Sequence, residues 1–205
     1  MEPNRLWGEP APGRLASAWR RLRAVLGIGE RPAPETLPRL PLALRRGDLA
    51  ATYLGAEASG DHRRAAAAAI AAADSAAANL EWWQADIWAH RSLWHFEQAE
   101  MTLQAARAAR RIGEIRTLAG DPESARRYYA EAISEARDIG AEREEGLAAL
   151  GMGRAQLQLG DVTTARRLAQ ISIDLLQRSG APSEEREAAL QLRGVEKRVG
   201  AERES

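Results

Sequence analysis

GDPESARRYYAEAISEARDIGAEREEGLAALGMGRAQLQLGD, residues 120–161, opens and closes on the same Gly-Asp pair, with Gly140 midway. The beat runs on: glycine stands at 120, 140, 160, 180 and 200, one every 20 residues. A fixed period of this size marks stacked structural repeats rather than a globule with one core. Glycine suits the left-handed turn that closes a helix. Asp121 is placed to cap the next one, with Pro122 at the first position, where a missing N–H costs nothing, and Glu123 in the first turn. Pro182 stands in the matching register. Helices therefore fit between the beats, at 101–119, 121–139, 141–159, 161–179 and 183–199.

Upstream the beat weakens. Gly60-Asp61 reads as the same turn, between a helix near 42–58 and one near 62–78. Asn79 is expected to take the left-handed conformation in place of glycine. From Leu80 to Ile112 there is neither glycine nor proline, so residues 80–119 hold either one long helix or an extra helix at 81–98. The extra helix is preferred. The expected fold is all-α, a solenoid of helical hairpins over residues 42–200 with about 8 helices, followed by a tail at 201–205.

Residues 1–41 stand apart. Seven prolines between Pro3 and Pro41 favour extended linker. Between them lies RLASAWRRLRAVLGI, residues 14–28, whose Leu15, Trp19, Leu22 and Leu26 recur at helical spacing beside Arg14, Arg20, Arg21 and Arg23. This amphipathic helix is expected to dock on protein through Leu15, Trp19 and Leu22: on this chain, on a second copy, or on a partner. Attachment to a membrane surface is the alternative.

The chain has 205 residues, with 29 basic and 29 acidic side chains, so its formal net charge is zero. That disfavours nucleic acid, whose binding needs a surplus of positive charge. Cysteine is absent, which removes disulfides, thiolate metal sites and thiol nucleophiles. The longest apolar run, Ala65 to Ala73, is alanine apart from Ile70 and is too short to span a bilayer. Charges stand where a signal peptide would have its apolar core. A cytoplasmic protein is expected, and abundant Ala and Arg point to a bacterial, GC-rich source.

The residues resemble tetratricopeptide repeats, whose pattern pairs W-x₂-L-G-x₂-Y in a first helix with A-x₃-F in a second. Ile112-Gly113 matches the L-G pair, Gly120-Asp121 the turn, and Ala125-x₃-Tyr129 the A-x₃-F pair, with Ala132 after it. Met152-Gly153, Gly160-Asp161, Ala165 and Ala169 repeat the set, and a last half-repeat ends at Leu192 and Gly200. Ala109 and Ala149 replace the tryptophan, and Arg116 and Gln156 the tyrosine. The 40-residue period is similar to the longer repeats of kinesin light chains and bacterial regulators. The resemblance implies a right-handed superhelix whose concave face, lined by first helices, binds protein segments. Carried onto this chain, the groove positions are Arg107, Arg110, Glu114 and Thr117, then Leu147, Leu150, Arg154 and Leu157. Leucines beside arginines suit an amphipathic or acidic segment; alternatively these leucines pack on a neighbouring helix. The Asn and Lys of chaperone-binding carboxylate clamps are missing.

EWWQADIWAHRSLWHF, residues 81–96, carries four tryptophans. Helical spacing puts Trp83, Ile87 and Trp94 on one face, with Trp82 and Trp88 away from it. Aromatics on several faces point to internal packing, with Trp83 and Trp94 joining the two halves of the body. An exposed interface including Trp82 and Trp88 is the alternative. His90, His95, Glu97 and Glu100 suggest metal, but five residues put His90 and His95 about 140° apart on a helix. No metal or cofactor is expected, and Asp86 can pair with His90 four residues on. Arg46-Gly47-Asp48 is a chance tripeptide in a chain rich in Gly-Asp turns. Gly27-x-Gly29 lacks the flanking strand and helix of a dinucleotide site. No nucleophile–base pair or paired carboxylates stand out. The expected function is a non-catalytic adaptor or scaffold that binds another protein, with homo-oligomerisation open. The alternatives are a peptide-sensing domain acting on a separate regulator and a membrane-surface assembly factor.

Overall fold

Seven times between residues 58 and 182 the chain makes the same turn, 20 residues after the last one. The computed structural model describes Leu40, Leu44 and residues 47–204, with side chains as far as Lys197. Residues 38–205 form one compact unit. The amphipathic segment at 14–28, with Leu15, Trp19 and Leu22, lies outside the described residues.

The helices are α1 (Asp48–Ala58), α2 (His62–Ala78), α3 (Trp82–Gln98), α4 (Thr102–Leu118), α5 (Pro122–Asp138), α6 (Glu142–Gln158), α7 (Val162–Arg178) and α8 (Pro182–Glu204). There is no strand among the described residues. Residues 80–119 therefore hold two helices, and the beat continues unbroken from Gly60 to Gly180. At each turn the residue on the beat is left-handed, and the next N–H reaches back five residues to a carbonyl, from Asp61 to Ala56 (2.9 Å) through to Ala181 to Leu176 (3.0 Å). These are the bonds that satisfy the orphan carbonyls of a helix end. Asp61, Asp121 and Asp161 cap the helices that follow by accepting from the N–H groups of Arg64, Ser124 and Thr164. Hydrogen bonds from Ser124 and Thr164 hold the carboxyl groups of Asp121 and Asp161 below the usual carboxylate pKa.

Two expectations need correction. Asn79 has φ −90°, and the left-handed residues are Leu80 (φ 61°) and Glu100 (φ 54°). The period of the turn, not the residue type, decides the conformation, at a cost of about 1 kcal/mol for a side chain with a Cβ. Gly200 does not end the last helix; α8 runs through it to Glu204.

Each helix packs on the next, α1 on α2 through to α7 on α8. In addition α4 touches α6, and α6 touches α8, so α2, α4, α6 and α8 are the first helices of successive hairpins and α1, α3, α5 and α7 the second. This is a helical repeat solenoid. Side-chain links run one repeat apart: Tyr53 to Arg91 (3.0 Å), His90 to Tyr128 (2.8 Å) and Arg111 to Asp74 (2.8 Å).

The core is built largely from alanine. Ala65, Ala69 and Ala73 of α2 and Ala85 and Ala89 of α3 are fully buried. Small side chains let the two backbones approach closely, and that contact decides which face of α3 turns inward. The inner face carries Ala85, Trp88, Ala89, Ser92 and Phe96. Trp88 is 3% exposed and stacks edge-on against Tyr53 at 5.1 Å, while Trp83, expected inside, is 55% exposed. Trp94 is half-buried beside His62. The alanines, weakly hydrophobic one by one, outweigh the more conspicuous tryptophans. None of the described helices is long and apolar enough to cross a membrane.

Candidate functional site

The first-helix layer is not uniformly closed. α4 and α6 are in contact, whereas α2 and α4 barely touch. Between them lies a cavity of about 520 Å³, open to solvent. Its apolar lining is Ile70 of α2, Phe96 of α3 and Ala108 of α4. Its polar lining is Asp74, Gln104, Arg107, Arg110, Arg111 and Glu114.

The charged groups form a ladder along α4. Arg111 donates to Asp74 of α2 (2.8 Å) and to Glu114 (3.1 Å). Arg110 pairs with Glu114 and, across to α6, with Glu144. Arg107 reaches Glu144 at 3.3 Å. Burial works against the charge on Arg110, and Glu114 and Glu144 outweigh it, so its pKa stands above the ordinary value. Glu144 is buried and held by two guanidinium groups. Such a pair has little net stabilising value, but removing one partner from a buried carboxylate is costly.

Of the groove residues expected from the sequence, Arg107, Arg110 and Glu114 come together in this cavity. Thr117 is buried, donating to the Gly113 carbonyl (2.8 Å). The second set is placed differently. Leu150 is 3% exposed and packs in a cluster with Leu176, Ala181 and Ala188, so it is a core residue and cannot face a ligand. Leu147 is half-buried against the same cluster. The reason is α8, whose Ala188 covers this part of α6. Arg154 is exposed and pairs with Glu187 of α8, and Leu157 is half-buried. Trp88 lies within the core and is not available as free surface, while Trp82 is half-buried against it.

Ile70, Asp74 and Arg111 were not singled out from the sequence. Ile70 and Asp74 stand one 40-residue period before Arg110 and Glu114, so extending the repeat register back into α2 finds them. Phe96 and Gln104 follow only from how α3 and α4 pack.

The histidines divide between two networks. His95 is buried, its Nε2 3.2 Å from the Tyr53 hydroxyl and its Nδ1 2.9 Å from His62 Nδ1. Burial and the neighbouring His62 lower its pKa to about 4. Tyr53 also donates to Glu57 (2.6 Å) and accepts from Arg91. Burial and the bond to Glu57 raise its phenol to about 12. His90 meets Tyr128 on α5, and its Nδ1 is 3.4 Å from Asp86, the expected pair. Asp86 is also held by a two-point bond from Arg116 (2.9 and 3.1 Å). His90 and His95 thus belong to separate clusters. Glu97 instead joins Glu131 and Glu135 of α5, with carboxylate oxygens within 4.8 Å of one another.

No family model matches the sequence, and no curated protein matches it.

Proposed function

We propose that the chain is a non-catalytic adaptor that binds a segment of another protein along its first-helix layer. The observation that carries this reading is the open cavity between α2 and α4, which gathers Arg107, Arg110 and Glu114 over an apolar floor. Clefts of about 300–1,000 Å³ that combine an apolar lining with a few placed polar groups are the usual form of a binding site. Resemblance to tetratricopeptide repeats supports the same reading. Gly113 and Tyr129, two positions that carry that resemblance, lie against each other here.

The experiment is affinity capture from cell extract with the tagged full chain. Arg154→Glu and Leu157→Glu change an exposed and a half-buried residue of α6, neither of which belongs to the Leu150 core. Together with Arg107→Glu they are expected to abolish capture of the main partner while the helical circular dichroism stays unchanged. Unchanged capture by the folded triple variant overturns the reading.

A further inference from the structure

We infer that the cavity between α2 and α4 seats one apolar side chain of an acidic partner segment, and that Arg107 takes up a carboxylate beside that side chain. This rests on the adaptor reading and adds the chemistry of the occupant. The floor of Ile70, Phe96 and Ala108 calls for an apolar anchor. The charged lining contains three guanidinium groups, Arg107, Arg110 and Arg111, against two carboxylates, Asp74 and Glu114. Glu144, buried against Arg107 and Arg110, brings the ladder as a whole to three against three, so the preference for an anion rests on Arg107, whose bond to Glu144 can be exchanged.

The ladder identifies which arginine is released. Arg111 is committed to Asp74 and Glu114, and Arg110 to Glu114 and Glu144. Arg107 has one bond, to Glu144, and 49% of its side chain is exposed. If Arg107 swings to a ligand carboxylate, buried Glu144 keeps its bond to Arg110. No charge is left buried without a partner, and Arg107 is the most exposed of the three arginines and holds the fewest bonds. A guanidinium fork fits a carboxylate at two points. The gain is a charge-assisted pair at the rim of an apolar pocket, with a strong dependence on salt.

The test uses the immobilised full chain and a display library of short random peptides. The expected result is enrichment of peptides with Leu, Ile, Met or Phe next to Asp or Glu. Their affinity falls about tenfold or more with Arg107→Glu, a loss of the size expected when a charge pair is reversed. Gln104→Trp, which fills the cavity from its half-buried rim, abolishes binding without touching the ladder, so a folding defect in one variant does not hide the answer. Enriched peptides that lack an acidic residue, or that bind both folded variants unchanged, overturn this inference and leave the adaptor reading standing. A library that yields no binding peptide overturns both.

Discussion

The Tyr129 ring of α5 occupies the space where Gly151 of α6 has no side chain; a Cβ there would stand 2.6 Å from the ring Cζ. The same ring lies against Gly113 of α4, where a Cβ would be 2.9 Å away. One aromatic side chain of a second helix thus wedges between two successive first helices, and glycine on both sides makes room. Burial raises the phenol to about 12.

Gly151→Ala is therefore expected to destabilise the fold by about 1–3 kcal/mol, the usual cost of overpacking a core. Gly55→Ala is the control. It sits in α1 with nothing within 4 Å of the added Cβ, and should stabilise by about 0.5–1 kcal/mol through helix propensity. Urea denaturation of both variants measures the contrast.

Trp88, on the buried face of α3, and Trp83, on its exposed side, should separate cleanly. Trp88→Ala leaves a cavity beside Tyr53 and is expected to cost about 3–5 kcal/mol. Trp83→Ala changes an exposed position and should stay within about 0.5 kcal/mol of the parent. Equal losses in thermal melts would contradict the packing described for α3.

The turns give a third prediction. Leu80→Gly and Glu100→Gly place glycine at left-handed positions already formed by the chain. Each should stabilise by up to about 1 kcal/mol, the relief of strain less the added freedom of the unfolded chain. Gly160→Ala should move stability in the opposite direction.

A fourth concerns acid. His95 binds its proton at about 4 when folded and near 6.5 when unfolded. Above 6.5 both states are neutral, and the group contributes nothing to pH dependence. Between 6.5 and 4 the unfolded state binds more protons, so stability falls as pH falls through that window, and the loss levels off below it. His95→Gln should flatten this part of the curve. In the parent, the His95 ring resonances should shift near pH 4; a midpoint near 6.5 would contradict the buried network with Tyr53 and His62.

Much of the fold is legible in the sequence because turn chemistry is local. Gly120, Asp121 and Pro122 each state a backbone preference that needs no partner. The turns at Leu80 and Glu100 are hidden because the period, enforced by packing on neighbouring repeats, overrides the residue. The orientation of α3 is hidden for a related reason: the packing of α2 on α3, which buries Ala69, Ala73, Ala85 and Ala89 fully, is a property of two helices together. The cavity is half legible. Arg107, Arg110 and Glu114 are implied by the resemblance to tetratricopeptide repeats, while Phe96 enters from another helix and Leu150 is lost to α8.

The most direct measurement of the central claim is photo-crosslinking in living cells. A photoreactive phenylalanine is placed at Gln104 on the cavity rim, at Leu157 on α6, and at Arg166 on the exposed side of α7. The account predicts a discrete protein adduct from positions 104 and 157, and none from 166. Adducts from 166 alone, or none from 104, would contradict it.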